Sequence, residues 1–249
     1  MSYCFNVKNH IVPYFKDPGV TLAGLQARQI QSFYLHELET LKAASVIRLH
    51  ANLHKALKYA VQLDLIPGNP VDKVERLKLE KYMAGYYTAV ELEKLFEAAR
   101  GHRLELIIQF AAFYGMRRGE ILGLRWDAVD LEVKTITIRH TVTTASLEGK
   151  HVLIQADRAK TKSSLRTLPL VDTFAERLRA LKEQQAYNEK LCSGCYNPKY
   201  KGYVFVNELG DLILPNSVTE SFAKLLAVNG LRKIRFHDLR HSCSSEVCR

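Results

Sequence analysis

The sequence has no run of about 18 apolar residues, the length that a transmembrane helix requires, so nothing in its 249 residues predicts a membrane span. Residues 1–8 also lack the basic segment, apolar core and small-residue cleavage site of a secretory signal peptide. There is no internal repeat and no low-complexity tract, which argues against a repeat architecture. We therefore expect a cytoplasmic protein of ordinary soluble composition.

Cysteine is scarce and its spacing is irregular. An odd count of five in a chain without secretory features argues for reduced thiols. Cys192 and Cys195 form a lone Cys-x-x-Cys, for which His241, Cys243 and Cys248 are conceivable partners. Structural zinc normally takes four ligands from two compact pairs, so we predict no metal site. The fifth cysteine is Cys4.

The charge balance is basic throughout. Lysine and arginine number 36 against 26 acidic residues, which gives a net charge of +10. The excess is +4 up to residue 82 (11 basic, 7 acidic) and +6 beyond it (25 basic, 19 acidic), so no tail holds it. A basic surface spread over a folded chain favours a polyanionic partner, with nucleic acid as the leading candidate.

Residues 1–66 carry helical periodicity with almost no strand signal. Apolar residues recur at three- and four-residue spacing in 26–38 and again in 46–60, where Ser45 is a candidate N-cap. The other face of the second helix is polar and basic, and it is either solvated or lies on DNA phosphates. Its candidate DNA-binding residues are Arg48, Asn52, Lys55 and Lys58.

Prolines and glycine at 67–70 end this helical unit, and a charged stretch typical of a linker follows. A Thr-x-x-Glu capping box at 88–91 then opens the next helix. We predict a helical domain at 1–70, a linker at 71–86 and a second domain at 87–249. The second domain is predicted to be mostly helical around one small antiparallel sheet, with strands at 135–139, 151–155 and 165–170 and a basic turn at 158–164. The fold class is therefore mainly α with a small antiparallel β-sheet (α+β).

Several residues of the second domain suit a phosphate. Glu120 stands one helical turn after Arg117, where it can hold the guanidinium in an ion pair. Lys160 lies in the basic turn, while His237 and Arg240 are three apart and share a helix face. Phosphoryl transfer without a metal needs cations at the equatorial oxygens, an acid for the leaving oxygen and a nucleophile. Each residue alone fits a solvated surface position, but their combination favours a phosphate pocket.

Three stretches carry a family resemblance: YGMRRGEILGLRW at 114–126, KTKSSLRTLPL at 160–170 and FHDLRHS at 236–242. With them, the chain resembles the tyrosine recombinases of the phage-integrase family, especially integrases of phages and conjugative transposons in Gram-positive bacteria. Residues 50–60 and 66–71 resemble the helical core-DNA-binding domain of that family. The resemblance implies an all-helical core-DNA-binding domain followed by a tyrosine-recombinase catalytic domain.

The resemblance also implies roles for individual residues. Arg117 resembles the family's first catalytic arginine, and His237 and Arg240 resemble the pair that holds the scissile phosphate. Lys160 resembles the hairpin lysine that protonates the departing 5′-oxygen, with Lys162 as the fallback and a further DNA contact. The supporting residues are Glu120, the acid beside the first arginine, and His241, which is expected to be structural.

The resemblance further implies double-stranded DNA as the partner and a homotetramer during strand exchange, with accessory host or directionality factors possible. It implies no metal and no nucleotide cofactor, and a location on the nucleoid in the bacterial cytoplasm.

The pattern departs from the family at its end. In the family a nucleophilic tyrosine follows some tens of residues after the Arg-His-Ser motif, whereas the last of the twelve tyrosines here is Tyr203. We therefore expect a chain shortened at both ends and inactive alone. Two alternatives to a recombinase remain open, a catalytically dead DNA-binding fragment and an activity similar to type IB topoisomerases.

Overall fold

The computed structural model describes residues 3–17, 19–75, 77–78, 85–147, 150–157, 166–192 and 194–243. The chain divides into two compact units, Met1–Tyr82 and Met83–Arg249, each with its own hydrophobic core. The predicted fold class is confirmed, because helices dominate and the strands form small antiparallel sheets. Within the described ranges, no helix has both the length and the apolar character needed to cross a membrane.

The described part of the first unit is helical. Its N-terminal stretch runs through α1 (Tyr3–Asn6), a π-helical turn (Val7–Ile11) and α2 (Val12–Phe15). The apolar stripes of α3 (Ala27–Leu38) and α4 (Ala43–Gln62) supply most of the core, and a 3₁₀ turn (Pro70–Lys73) closes the unit. The prediction that Ser45 caps α4 is wrong. The helix begins at Ala43 because Lys42 is the last residue in extended conformation, and alanine is the best helix former.

The second unit contains six helices and five strands among its described residues. The helices are α5 (Ala89–Ala98), α6 (Glu105–Tyr114), α7 (Arg118–Leu122), α8 (Asp172–Leu191), α9 (Pro215–Val228) and α10 (Leu239–Cys243). The strands are β1 (Val129–Asp130), β2 (Thr135–Ile138), β3 (His140–Leu147), β4 (Lys150–Asp157) and β5 (Arg166–Pro169). The capping box at the start of α5 is present, with Glu91 Oε2 accepting from the Thr88 backbone N–H at 2.8 Å.

The strands belong to two sheets rather than to the one that the sequence suggested. One sheet has the order β1-β2-β5, and the other is the hairpin of β3 and β4, with His140 opposite Asp157 and Leu147 opposite Lys150. Strand β3 was not predicted. Only Arg139 separates it from β2, and the chain changes sheets there because β3 lies against α7 instead of continuing the first sheet.

Glycine makes the contact between α7 and β3 possible. A Cβ on Gly123 would lie 2.6 Å from Thr141 Cα and 2.7 Å from the His140 carbonyl oxygen, and one on Gly119 would lie 2.9 Å from the Val142 carbonyl oxygen. These are backbone atoms that cannot rotate away. Helix α7 is therefore held tightly on the hairpin, at its first turn by Gly119 and just after its last residue by Gly123.

Candidate active site

Arg117 is placed by a short loop between α6 and α7. The loop begins at Gly115, whose φ of +59° lies in the left-handed region that glycine adopts without a Cβ clash. The Arg117 backbone N–H donates to Glu120 Oε2 at 2.9 Å, and its Nη1 donates to Glu120 Oε1 at 2.9 Å. The predicted ion pair is thus present, and it fixes the guanidinium beside the first turn of α7.

Glu120 is a buried carboxylate with two arginine partners. Its side chain has 0% exposure, and it also accepts a hydrogen bond from Arg166 Nη2 on β5 at 2.8 Å. The two guanidinium groups remain accessible, with side-chain exposures of 47% for Arg117 and 33% for Arg166. Two positive charges facing one carboxylate leave an excess of one, so the cluster can bind an anion through oriented N–H groups.

Arg166 was not predicted as a site residue, although it lies in the stretch 160–170 that carries the family resemblance, because its position was interpreted as part of a strand. A signal existed in the alternation of that strand, where Arg166 shares a half-buried phase with Leu168 while Thr167 and Pro169 are exposed. A charged residue on the inward phase of a strand requires a partner. The partner is Glu120, 46 residues earlier in the chain.

Arg118, the neighbouring arginine, is engaged elsewhere. Its Nη1 donates to the Thr219 hydroxyl on α9. Burial lowers the pKa of this guanidinium from its ordinary value.

The histidine–arginine pair lies at the junction of a 3₁₀ turn (Phe236–Asp238) and α10. Asp238 is buried and accepts from Arg235 Nη2 at 2.7 Å and from the Arg235 backbone N–H at 3.1 Å. The hydrogen bonds from the Arg235 side chain hold the pKa of Asp238 below its ordinary value. A charged carboxylate thus caps the turn that presents His237 at the surface.

Arg240 joins the two motifs. Its Nε donates to the Gly115 carbonyl at 2.6 Å across 125 residues of sequence, and Gly115 stands two residues before Arg117. The Gly115 carbonyl oxygen therefore links the segment that carries Arg117 to the segment that carries Arg240. Arg240 is half-buried, which places its guanidinium at the rim of the protein rather than in its core.

The electrostatic surroundings of His237 are positive. Partial desolvation lowers the pKa of its imidazole, and the charges of Arg240 and His241 lower it further. Arg235 acts in the same direction, whereas Asp238 opposes them. The lowered pKa favours the neutral imidazole over the charged one, and a neutral imidazole can donate one hydrogen bond to a phosphate oxygen.

The remaining predicted site residues are less well defined. His241 is exposed, and its ring centroid lies 6.5 Å from that of His237 at an interplanar angle of 84°. Lys160 and Lys162 lie outside the described residues. Their stretch starts directly after Asp157, the last residue of β4.

A hydrogen-bond network at the open end of the β3–β4 hairpin was also missed. His140 Nδ1 bonds to Asp157 at 2.6 Å and His140 Nε2 bonds to the Tyr203 hydroxyl at 2.8 Å, which itself donates to Gln155 at 2.9 Å. Its members are up to 63 residues apart, so no local pattern indicates it. The network joins the end of β4 to the segment around Tyr203.

In the first unit, three of the four candidate DNA-binding residues are exposed on α4: Arg48, Lys55 and Lys58. Asn52 differs, because its Nδ2 is shielded from solvent and has no hydrogen-bond acceptor among the described residues. Two histidines of the same polar face form hydrogen bonds to other side chains of the first unit. His50 bonds to the Tyr34 hydroxyl at 3.0 Å, and His54 bonds to Asp72 at 2.9 Å.

Among the described residues, no group of three or more histidine, cysteine or acidic side chains gathers in a geometry that could hold a metal. Cys192 is half-buried and Cys195 is exposed, and both are free thiols. Cys248 lies outside the described residues.

Residues 86–249 match the sequence profile of the phage integrase family. Among curated proteins, a XerC-like tyrosine recombinase of Caldanaerobacter subterraneus subsp. tengcongensis is 28% identical over 263 residues. That alignment covers 96% of this chain and 65% of the relative, so the chain spans less than two thirds of the relative's length.

Two solved structures share the fold. The Tn1549 transposon integrase in complex with transposon right end DNA superposes with a TM-score of 0.77 at 16% identity, covering 96% of this chain and 78% of that one. A lambda integrase tetramer bound to a Holliday junction gives a TM-score of 0.64 at 19% identity, with coverages of 97% and 64%.

Proposed function

This chain belongs to the phage integrase family of tyrosine recombinases, and on that premise we propose that it takes part in the site-specific breaking and rejoining of DNA. Its second unit binds the scissile phosphate, and its first unit binds the flanking duplex through Arg48, Lys55 and Lys58 on α4. The domains proposed for these roles are 1–70 and 87–249, joined by 71–86.

In the proposed reaction, a tyrosine hydroxyl releases its proton to solvent as its oxygen attacks the phosphorus, and the bond to the 5′-oxygen breaks. A 3′-phosphotyrosyl link and a free 5′-hydroxyl result. Lys160, or Lys162 in its place, donates the proton to the departing 5′-oxygen. Arg117, Arg240 and His237 hold the nonbridging oxygens while negative charge develops on the pentacoordinate phosphorus. Attack by the 5′-hydroxyl of a partner strand reverses these steps and joins the strands.

The observation that supports this proposal best is the hydrogen bond from Arg240 to the Gly115 carbonyl. It connects two cationic motifs that are far apart in sequence, as a single phosphate would require. Glu120, which pairs with both Arg117 and Arg166, adds support. It holds the Arg117 side chain in a fixed orientation and leaves that side chain accessible to solvent.

We propose that the attacking tyrosine lies outside these 249 residues, because the family places it after His237 and none of the twelve tyrosines here follows that residue. Tyr203 does not substitute for it, since it is only 6% exposed and its hydroxyl is bonded to His140 and Gln155. The tyrosine belongs to the same or a neighbouring polypeptide in a homotetramer on double-stranded DNA. We place the protein in the bacterial cytoplasm, on the nucleoid.

The phosphate site can be tested on this chain directly. The His237 Cε1–H resonance, assigned by its loss in His237→Gln, should shift saturably in NMR spectra as inorganic phosphate is added. Arg117→Ala should abolish most of that shift. The affinity of the Arg117→Ala variant for duplex DNA should differ from that of the parent by less than about threefold, because many contacts to the DNA phosphate backbone supply the affinity. A parent resonance that does not respond to phosphate would contradict the proposal.

A DNA-binding module without chemistry is the second candidate, favoured by the net charge of +10, which suits a DNA duplex with or without cleavage. Nicked duplex DNA separates the two functions. Capture of the 3′ end in a covalent complex that survives denaturation excludes the binding module. Tight binding without capture, even when a tyrosine-bearing subunit is added, excludes the recombinase. Relaxation of supercoiled DNA without a preferred site would instead indicate topoisomerase chemistry.

A further inference from the structure

A second set of contacts reaches the segment that carries His237 and Arg240, and it comes from the residues around the start of α5. Arg232 donates from Nε to Glu91 Oε1 at 2.8 Å and from Nη2 to Glu91 Oε2 at 3.0 Å, which is a bidentate ion pair. The same Nη2 donates to the Tyr86 carbonyl at 2.7 Å. The guanidinium carbon lies 5.0 Å from the centroid of the Tyr87 ring.

Tyr87 contacts this segment on both sides of the phosphate-binding pair. Its hydroxyl donates to the Arg232 carbonyl, five residues before His237, and its backbone N–H donates to Ser242 Oγ at 2.9 Å, two residues after Arg240. Tyr87 and Ser242 are each 1% exposed. Residues 86–91 therefore hold the phosphate-binding segment at both ends.

Glu91 connects Arg232 to a rigid element. Its Oε2 also accepts the Thr88 backbone N–H at 2.8 Å in the capping box of α5. The hydrogen bonds from Arg232 and from the Thr88 backbone lower the pKa of Glu91 to about 2, so the carboxylate stays charged at neutral and mildly acidic pH. Protonation of Glu91 therefore does not break the ion pair at neutral or mildly acidic pH.

We propose that the clasp, defined as Arg232 with its partners Glu91, Tyr86 and Tyr87, positions His237 and Arg240 for the phosphate. This inference rests on the proposed function. Arg232 and Glu91 are positioning residues that act through the segment they hold, and they do not touch the phosphate. The clasp and the Arg240–Gly115 hydrogen bond fix the segment from two directions, against α5 and against the Arg117 loop.

Opposite charge changes separate this role from a direct contact between Arg232 and DNA. Glu91→Gln keeps a residue that can close the capping box but weakens the ion pair, and it makes the protein more positive by one. Arg232→Gln breaks the same pair and makes the protein less positive by one. If Arg232 simply attracted phosphate, the first variant would bind inorganic phosphate more tightly and the second less tightly.

If the clasp positions His237 and Arg240, Glu91→Gln and Arg232→Gln should both weaken phosphate binding. Followed by the His237 resonance, the Kd for inorganic phosphate should rise about fivefold in each variant, equivalent to ~1 kcal/mol. The double variant should be no weaker than either single one, because the two residues act through one interaction. Arg232→Lys should behave like Arg232→Gln, because lysine keeps the charge but not the fork.

Arg177→Gln is the matched control, since it breaks an Arg–Glu pair of 2.7 Å with Glu105 at the far end of α6 from Gly115. It should lower the Tm while leaving phosphate affinity at the parent value. The pKa of His237, measured without phosphate, decides the proposal even if phosphate does not bind. Movement toward the ordinary value in both clasp variants supports the clasp, and no movement, or movement in opposite directions, overturns it.

Discussion

At the scale of single residues, the candidate site depends on a carboxylate that takes no part in the proposed chemistry. Glu120 is fully enclosed, and both of its oxygens bind guanidinium groups that reach the surface. Burial makes the charge of Glu120 costly unless both partners remain. Its role is to give Arg117 one orientation, which a free surface arginine would not have.

Removing the charge of Glu120 should therefore destabilise the folded protein. We expect Glu120→Gln to lower the free energy of unfolding by about 2–4 kcal/mol, since the amide can no longer compensate two guanidinium charges. Urea denaturation measures the loss. Glu189→Gln, which breaks the pair with Lys201 at 2.7 Å on the surface, should cost less than about 1 kcal/mol. Equal losses in the two variants would mean that burial of the carboxylate does not matter.

His237 should make stability depend on pH in a defined direction. Its pKa in the folded protein is below the ordinary value, so in the interval between the two the unfolded chain binds a proton that the folded chain does not. The free energy of unfolding therefore falls as pH decreases through that interval. We expect His237→Gln to have a shallower fall in urea midpoint between about pH 7 and 5.

The control for this experiment is His36→Gln, an exposed histidine on α3 of the first unit. It removes one imidazole without touching the candidate site. If the pH slope of His237→Gln equals that of the parent while His36→Gln changes it, the positive surroundings of His237 do not destabilise its protonated form.

At the scale of secondary-structure elements, the close contact with β3 keeps α7 in place, and Arg117 directly precedes that helix. We expect Gly123→Ala to lower the free energy of unfolding by about 1–3 kcal/mol, because the added Cβ meets the backbone at Thr141 and His140 and the two elements must separate. Gly194→Ala is the control, since a Cβ there meets nothing within 4 Å. Thermal unfolding distinguishes them, and equal Tm values would contradict a tight contact.

Local signals were the ones that the sequence predicted well. The capping box of Thr88 and Glu91 and the ion pair of Arg117 with Glu120 each lie within four residues, and both are present. Strand β3 was missed because what makes it a strand is tertiary: it pairs with β4 and lies against α7. Neither contact can be inferred from the residues of the strand itself. Ser45 was misread since serine, although a frequent N-cap, is tolerated within the first turn of a helix that starts two residues earlier.

The partners that complete the site were out of reach for the same reason. Arg166 meets Glu120 across 46 residues, and Arg232 meets Glu91 across 141. Spacing in the sequence gives no indication of such pairs, because they depend on which elements come together in the fold. The family resemblance supplied the residues expected at the phosphate, but not the residues that hold them.

At the scale of the whole molecule, a net charge of +10 divided between both units predicts a strong dependence of DNA affinity on salt. The logarithm of the association constant should fall linearly with the logarithm of salt concentration, by about 0.9 for each phosphate contacted. Arg48→Ala, Lys55→Ala and Lys58→Ala should each reduce that slope by about one. Fluorescence anisotropy with labelled duplex DNA measures it.

Lys190→Ala serves as the control, because this exposed lysine lies near the end of α8 and outside the predicted DNA-binding surface. Its slope should equal that of the parent. A flat salt response in the parent would argue against a DNA partner altogether.

The hydrogen bond between Arg240 and Gly115 also has a consequence for how the protein is made. A ribosome adds about 5–20 residues per second, so the Gly115 carbonyl emerges roughly 6–25 s before the arginine that will bind it, 125 residues later. The interval is longer still between Glu91 and its partner Arg232, and between Tyr87 and its partner Ser242. During synthesis, α5 and the Arg117 loop therefore stay without the C-terminal segment that completes the site, although β3 is already available to α7.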